Sequence, residues 1–152
     1  MDKRDYLILE SLQTDADKSI SDVAAGVHLS SNACWRRIKH LEEEGIIRRR
    51  VALLDPIKLG VGTTVIVMLR ASEHSEEWLG RFATEIAALP EVVEVYRLSG
   101  DIDYLLKLRV ADIAHYDRVY KRLIGTVRLT DVSSSFVMEE IKYSTSVPLP
   151  LR

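Results

Sequence analysis

Apolar residues fall at helical spacing from the start of the chain. Met1, Ile8, Leu9 and Leu12 predict an amphipathic helix that ends near Thr14 and Asp15. Ser19 then reads as an N-cap, with Asp22 completing a Ser-x-x-Asp capping box. The short helix it opens turns Ile20, Val23, Ala24 and Val27 inward and stops near His28. Ser30 caps a third helix with the inner stripe Cys34, Ile38 and Leu41, and Gly45 suits the left-handed position that ends it. Two short helices a few residues apart describe a helix-turn-helix. After Gly45 the periodicity changes, and Ile46–Leu53 reads as one strand or two short ones, the wing. Asp55-Pro56 breaks regular structure, and Gly60 and Gly62 flank a short hinge.

Beyond the hinge the pattern alternates. Thr63–Arg70 predicts a strand that is apolar on both faces. Ser75 caps a helix facing inward through Trp78, Leu79, Phe82, Ile86 and Leu89. Val92–Leu98 and Tyr104–Val110 predict two strands joined by a turn at 99–103. Asp112 caps a last helix with Ile113, Tyr116, Tyr120, Leu123 and Ile124 inward, and Val132–Ile141 predicts a fourth strand. The order β-α-β-β-α-β is the split plan of the ferredoxin-like fold. The fold class is therefore α+β, with a winged helix-turn-helix over 1–60 and a ferredoxin-like module over 61–152. Helices cover one face of such a sheet. The other carries too many apolar groups to stay wet, which predicts dimerisation through it.

The 152-residue chain has a net charge of −2, which argues weakly against a nucleic-acid partner. The distribution matters more. Arg36, Arg37 and Lys39 are followed by Arg48, Arg49 and Arg50, opposed only by Glu42–Glu44. Screening confines electrostatics to roughly 10 Å, so a local basic surface can hold phosphate on a neutral chain. The outward residues of the third helix are expected to be Ser31, Asn32, Trp35, Arg36, Lys39 and, nearer its margin, Arg37 and His40. Arginine reads guanine and asparagine reads adenine bidentately in the major groove of double-stranded DNA. Ser31 at the helix N-terminus suits a phosphate, and the wing arginines supply affinity without sequence preference. A three-helix interaction module with a solvated basic face is the competing reading.

Cys34 is the only cysteine, which excludes an intrachain disulfide and a cysteine-based zinc cluster. It sits on the inner stripe and reads as a small buried hydrophobe. The longest apolar run, near Val61–Leu69, is too short to cross a bilayer. The charged start carries no signal-peptide pattern, so the expected compartment is the cytoplasm. No nucleophile–base arrangement, metal cluster or phosphate loop is present, so no cofactor and no enzymatic activity are expected.

Several spaced segments resemble the leucine-responsive and asparagine regulator (Lrp/AsnC) family over essentially the whole chain. "MDKRDYLILESLQ" resembles its first helix, with Asp2, Asp5, Ile8, Leu9, Leu12 and Gln13 in place. "ISDVAAGVHLSSNACWRRIKHLEEEGII" resembles its helix-turn-helix and "ALLDPIKLG" its linker. "LSGDIDYLLKLRV" and "TDVSSSFVMEEIKYSTSVPL" resemble its effector-binding module. The resemblance implies a transcription regulator of amino-acid metabolism, forming a homodimer that assembles further into tetramers or octamers. It implies a small amino-acid effector held between modules of neighbouring subunits. The carried-over effector residues are Gly100, Asp101, Asp103 and Tyr104, with Ser133, Ser134 and Ser135 from the neighbour. A zwitterion needs an acceptor for its ammonium, which Asp101 or Asp103 supplies, and donors for its carboxylate, which serines and backbone N–H groups supply. A tight turn and ordinary strand-surface serines remain the alternative reading of these residues. The Cys34-Trp35 pair is similar to a branch that responds to cysteine, which makes cysteine one candidate effector. Some haem-pathway decarboxylases share this architecture, and a ligand-binding module without DNA binding is a third reading.

Overall fold

The computed structural model describes residues 1–150 apart from 74 and 127. The chain divides into two compact units. Met1–Leu53 joins with the chain from Ile141 onward, and Leu54–Glu140 forms the second. The expected boundary at 60/61 gave the C-terminal segment to the second module; in the structure it returns to the first.

The first unit holds α1 (Lys3–Thr14), α2 (Ile20–Gly26) and α3 (Ser31–Glu43). Asp2 caps α1. Its carboxylate accepts from the Arg4 and Asp5 N–H groups, and the Asp5 carboxylate accepts from the Asp2 N–H. This reciprocal box satisfies donors that the first helical turn otherwise leaves orphaned. Met1 therefore precedes the helix and stays exposed rather than joining the inner stripe. Ile8, Val23, Ala24, Val27, Cys34, Ile38 and Leu41 form the core, and Ile20 is left exposed. Each fully buried Ile or Leu contributes roughly 1.5–3 kcal/mol. Gly45 follows α3 at φ 69°.

The expected wing strands are absent. Residues 46–53 form an irregular segment without a strand partner, anchored where the Ile47 N–H donates to the Leu41 carbonyl at 3.0 Å. A strand needs a neighbour for its backbone groups, and an apolar and arginine-rich composition cannot supply one.

The second unit runs β1 (Thr63–Ala71), α4 (Glu76–Ala87), β2 (Val92–Arg97), β3 (Tyr104–Val110), α5 (Ile113–Thr126) and β4 (Leu129–Phe136). The sheet order is β2-β3-β1-β4, antiparallel throughout, as a ferredoxin-like βαββαβ fold requires. Val65, Val67, Leu69, Leu106, Leu108 and Val110 are buried with Trp78, Phe82, Ile86, Tyr116, Val119 and Leu123 of the two helices. In α5 the inner set is Tyr116, Val119, Tyr120 and Leu123, at i, i+3, i+4 and i+7, so Ile113 and Ile124 remain exposed. β4 starts three residues earlier than expected and ends at Phe136 opposite Val65. One further bond, Val137 N–H to the Thr64 carbonyl at 3.0 Å, closes its pairing. The segment up to Ile141 reads as strand in sequence but has no partner in the sheet. None of the described helices is long and apolar enough to cross a membrane.

Candidate functional site

The turn between α2 and α3 fixes the face that α3 presents. Ser19 and Ser30 cap the two helices by accepting from the Asp22 and Ala33 N–H groups. Asp22 completes its box differently from expectation, accepting from the Ser19 hydroxyl at 2.7 Å rather than from its backbone. The Leu29 N–H returns to the Ala24 carbonyl at 2.9 Å, and His28 between them takes φ 54°. With Cys34, Ile38 and Leu41 buried beneath, Ser31, Asn32, Trp35, Arg36, Lys39 and His40 lie outward. Trp35 is 46% exposed, a large ring left in water on the face that a ligand would cover.

Charge divides this face. Arg36, Arg48 and Arg49 are exposed and have no acidic partner among the described residues. Lys39 donates to Glu42 at 2.7 Å, and Arg50 reaches the other oxygen of Glu42 at 3.4 Å. The Lys39 ammonium is the first cause that holds the Glu42 carboxyl below its usual range. The Glu42 carboxylate thus ties one cation of the helix to one of the segment that follows.

Arg37 departs from its expected place on the outward face. Its Nη1 donates to Asp5 Oδ1 at 2.7 Å and lies 2.8 Å from Asp2 Oδ2. The guanidinium clamps the α1 capping box onto α3, and these carboxylates, Asp5 first, raise its pKa further. Sequence reasoning missed this triangle, although Asp2-x-x-Asp5 was readable as a cap. Burial pushes the Cys34 thiol up, opposed by Arg37, and the side chain is fully covered. A thiol in that setting behaves as a hydrophobe.

In the second unit the β2–β3 turn separates the two candidate carboxylates. Asp103 Oδ2 accepts from the Ala71 N–H at 2.8 Å, its own N–H donates to the Leu69 carbonyl, and its carbonyl accepts from the Leu98 N–H. Asp103 therefore locks the turn to the end of β1. Asp101 is exposed in the loop beside Gly100, which takes φ 141°. Tyr104 is buried in an aromatic cluster, 4.5 Å from Phe82 and 5.9 Å from Trp78 between ring centroids. Its hydroxyl finds no hydrogen-bond partner among the described residues.

The three serines do not make one patch. Ser133 and Ser135 pair with Met68 and Ile66 on the uncovered face of the sheet. Ser134 points to the helices and hydrogen-bonds the Tyr116 hydroxyl. The same uncovered face holds Leu105, Tyr96 and the Lys107–Glu94 pair at 3.0 Å. Among the described residues no group of acidic, histidine or cysteine side chains is arranged to hold a metal ion.

The chain is similar to known proteins along its length. Residues 1–48 match the winged helix-turn-helix DNA-binding family and residues 64–147 the Lrp/AsnC ligand binding domain. It is 54% identical to the glutamate uptake regulatory protein of Zymomonas mobilis, over 99% of this chain and 92% of that one. It is 46% identical to the DNA-binding transcriptional activator DecR of Escherichia coli strain K12, over 98% and 99%. A transcriptional regulator from Neisseria meningitidis, solved as a complex with L-methionine, superposes with a TM-score of 0.94 at 33% identity, over 99% of this chain and 97% of that one. Relatives of this kind are gene regulators rather than enzymes. With a DNA-binding family matched over residues 1–48 and the Lrp/AsnC ligand binding domain over 64–147, the chain belongs to the Lrp/AsnC family of transcriptional regulators.

Proposed function

We propose that this regulator binds specific double-stranded DNA through α3, and that a small amino acid held by the C-terminal module alters that binding. The observation that carries the reading is the α3 face itself. Arg36 is an exposed guanidinium without an acidic partner among the described residues, set between Asn32, Trp35 and His40 on a helix whose opposite side is fully packed. Such a cation is free to pair with a base edge or a phosphate at no cost in broken ion pairs. Ser31 at the helix N-terminus suits a phosphate, and Arg48, Arg49 and Arg50 suit the flanking backbone. Arg37 is removed from the contact set and stays as a support. Such a regulator acts in the cytoplasm, where its DNA is.

The effector reading rests on the exposed Gly100-Asp101 turn and on Ser133 and Ser135, with Asp101 as the ammonium acceptor. Asp103 shapes the turn, and Tyr104 packs in the core behind it. The site lies between modules of neighbouring subunits, in a homodimer or higher homo-oligomer formed through the uncovered sheet face. Methionine is the amino acid in the Neisseria complex and glutamate figures in the name of one relative, so both stand beside cysteine as candidates. Titration calorimetry of the purified protein with these three and leucine tests the reading. Saturable heat from one of them, lost in Asp101→Asn, is expected; heat from none of them contradicts the effector site.

A further inference from the structure

The arginine segment after α3 lacks a strand partner, yet the C-terminal stretch lines a groove with it. Gln13, at the end of α1, makes two reciprocal bonds to one backbone unit. Its Nε2 donates to the Val147 carbonyl at 3.2 Å, and its Oε1 accepts from the Val147 N–H at 3.0 Å. A side-chain amide that answers both the N–H and the C=O of one residue imitates one rung of a β-ladder. The contact spans 134 positions of sequence, so it closes a very long loop. Thr145, Val147 and Leu149 line one groove with Leu9 and Leu12 of α1 and with residues 46–51 and 53, the arginines included. Leu149 is half-buried there, and Pro148 and Pro150 restrict the backbone of the stretch.

We infer that the C-terminal stretch 144–150 is a strap that positions the arginine wing, with Gln13 as its anchoring residue. The strap stands in for the missing strand. It fixes Arg48–Arg50 on the edge of the helix-turn-helix, where they deliver sequence-independent affinity. The last part of the inference rests on the DNA-binding reading above; the strap itself does not.

The test uses the full chain and two variants, Gln13→Ala and Leu149→Asp. Limited digestion with trypsin reads the wing directly, because cleavage after Arg48, Arg49 or Arg50 requires that segment to open. Cleavage there on the order of tenfold faster in both variants, with unchanged circular dichroism, is expected. Equal cleavage in all three proteins overturns the strap. The salt dependence of DNA binding is read alongside. Loss of three ordered arginines makes the log–log slope shallower by about 2 to 3. Faster cleavage in proteins whose wild type shows no specific DNA binding keeps the strap and rejects the DNA reading. Faster cleavage with an unchanged slope overturns the assignment of the strap to DNA affinity.

Discussion

Arg37 on α3 and Asp5 on α1 meet at 2.7 Å, and the carboxylate that receives the guanidinium is the one that closes the capping box at the start of the chain. The side chains are 31% and 13% exposed, so water weakens the pair without dissolving it. Arg37→Ala is expected to lower stability by about 1 kcal/mol through this contact. Arg36→Ala, one position away, is expected to change stability by less than about 0.5 kcal/mol while costing about 1–3 kcal/mol of affinity for the specific site. Urea denaturation and fluorescence anisotropy separate the two. An Arg36 variant that binds as wild type would place the DNA contact on another face.

Acid should weaken both units in a defined window. The Asp5 N–H, with Arg37 and the Arg4 N–H, holds the Asp2 carboxyl below its ordinary 3.8. The Tyr96 hydroxyl and then Lys107 hold Glu94 below its ordinary 4.5. Carboxyls depressed on folding stabilise the native state fully above their unfolded values, and the benefit is lost as pH falls through the folded ones. The urea midpoint is therefore expected to be flat from pH 7 to about 5 and to fall below about 4.5. Glu94→Gln should flatten the upper part of that fall. A midpoint unchanged between pH 5 and pH 3 contradicts the assignment.

His28 holds a left-handed backbone at φ 54° in an exposed turn. A side chain there costs on the order of 1 kcal/mol, which glycine avoids while losing some of the gain to a freer unfolded chain. His28→Gly is expected to raise the melting temperature by about 2–4 °C without altering DNA specificity. A lower melting temperature means the imidazole makes a contact worth more than the strain.

Glu42 neutralises Lys39 and touches Arg50. Glu42→Gln leaves both cations free for phosphate. Affinity is expected to rise several-fold on all DNA sequences alike, with a steeper salt slope. A rise confined to one sequence would instead place Glu42 at a base.

The hydrophobic pattern was enough to read the helices and the four strands in their β-α-β-β-α-β succession, because burial on one face writes a period into the sequence. Tyr104–Val110 and the Ser30 and Ser75 caps show this. The errors fall where period is not the determining quantity. The 46–53 segment and residues 138–141 look like strands, but a strand exists only with a partner, and neither has one. Arg37 lies at the margin of the α3 stripe, and only the position of α1 decides that it pairs with Asp5. Ser133–Ser135 alternate as any strand does, so Ser134 had to face away from its neighbours. Which of Asp101 and Asp103 is occupied depends on the end of β1 thirty residues upstream, a tertiary contact that spacing cannot show.

The most direct test is anisotropy of the purified protein on DNA upstream of its own gene and its neighbours, with and without methionine, glutamate, cysteine and leucine, repeated with Arg36→Ala. The account predicts site-specific binding that one amino acid shifts and that Arg36→Ala weakens by about 1–3 kcal/mol. Weak binding to every sequence, erased by salt and indifferent to both the amino acids and Arg36, would contradict it.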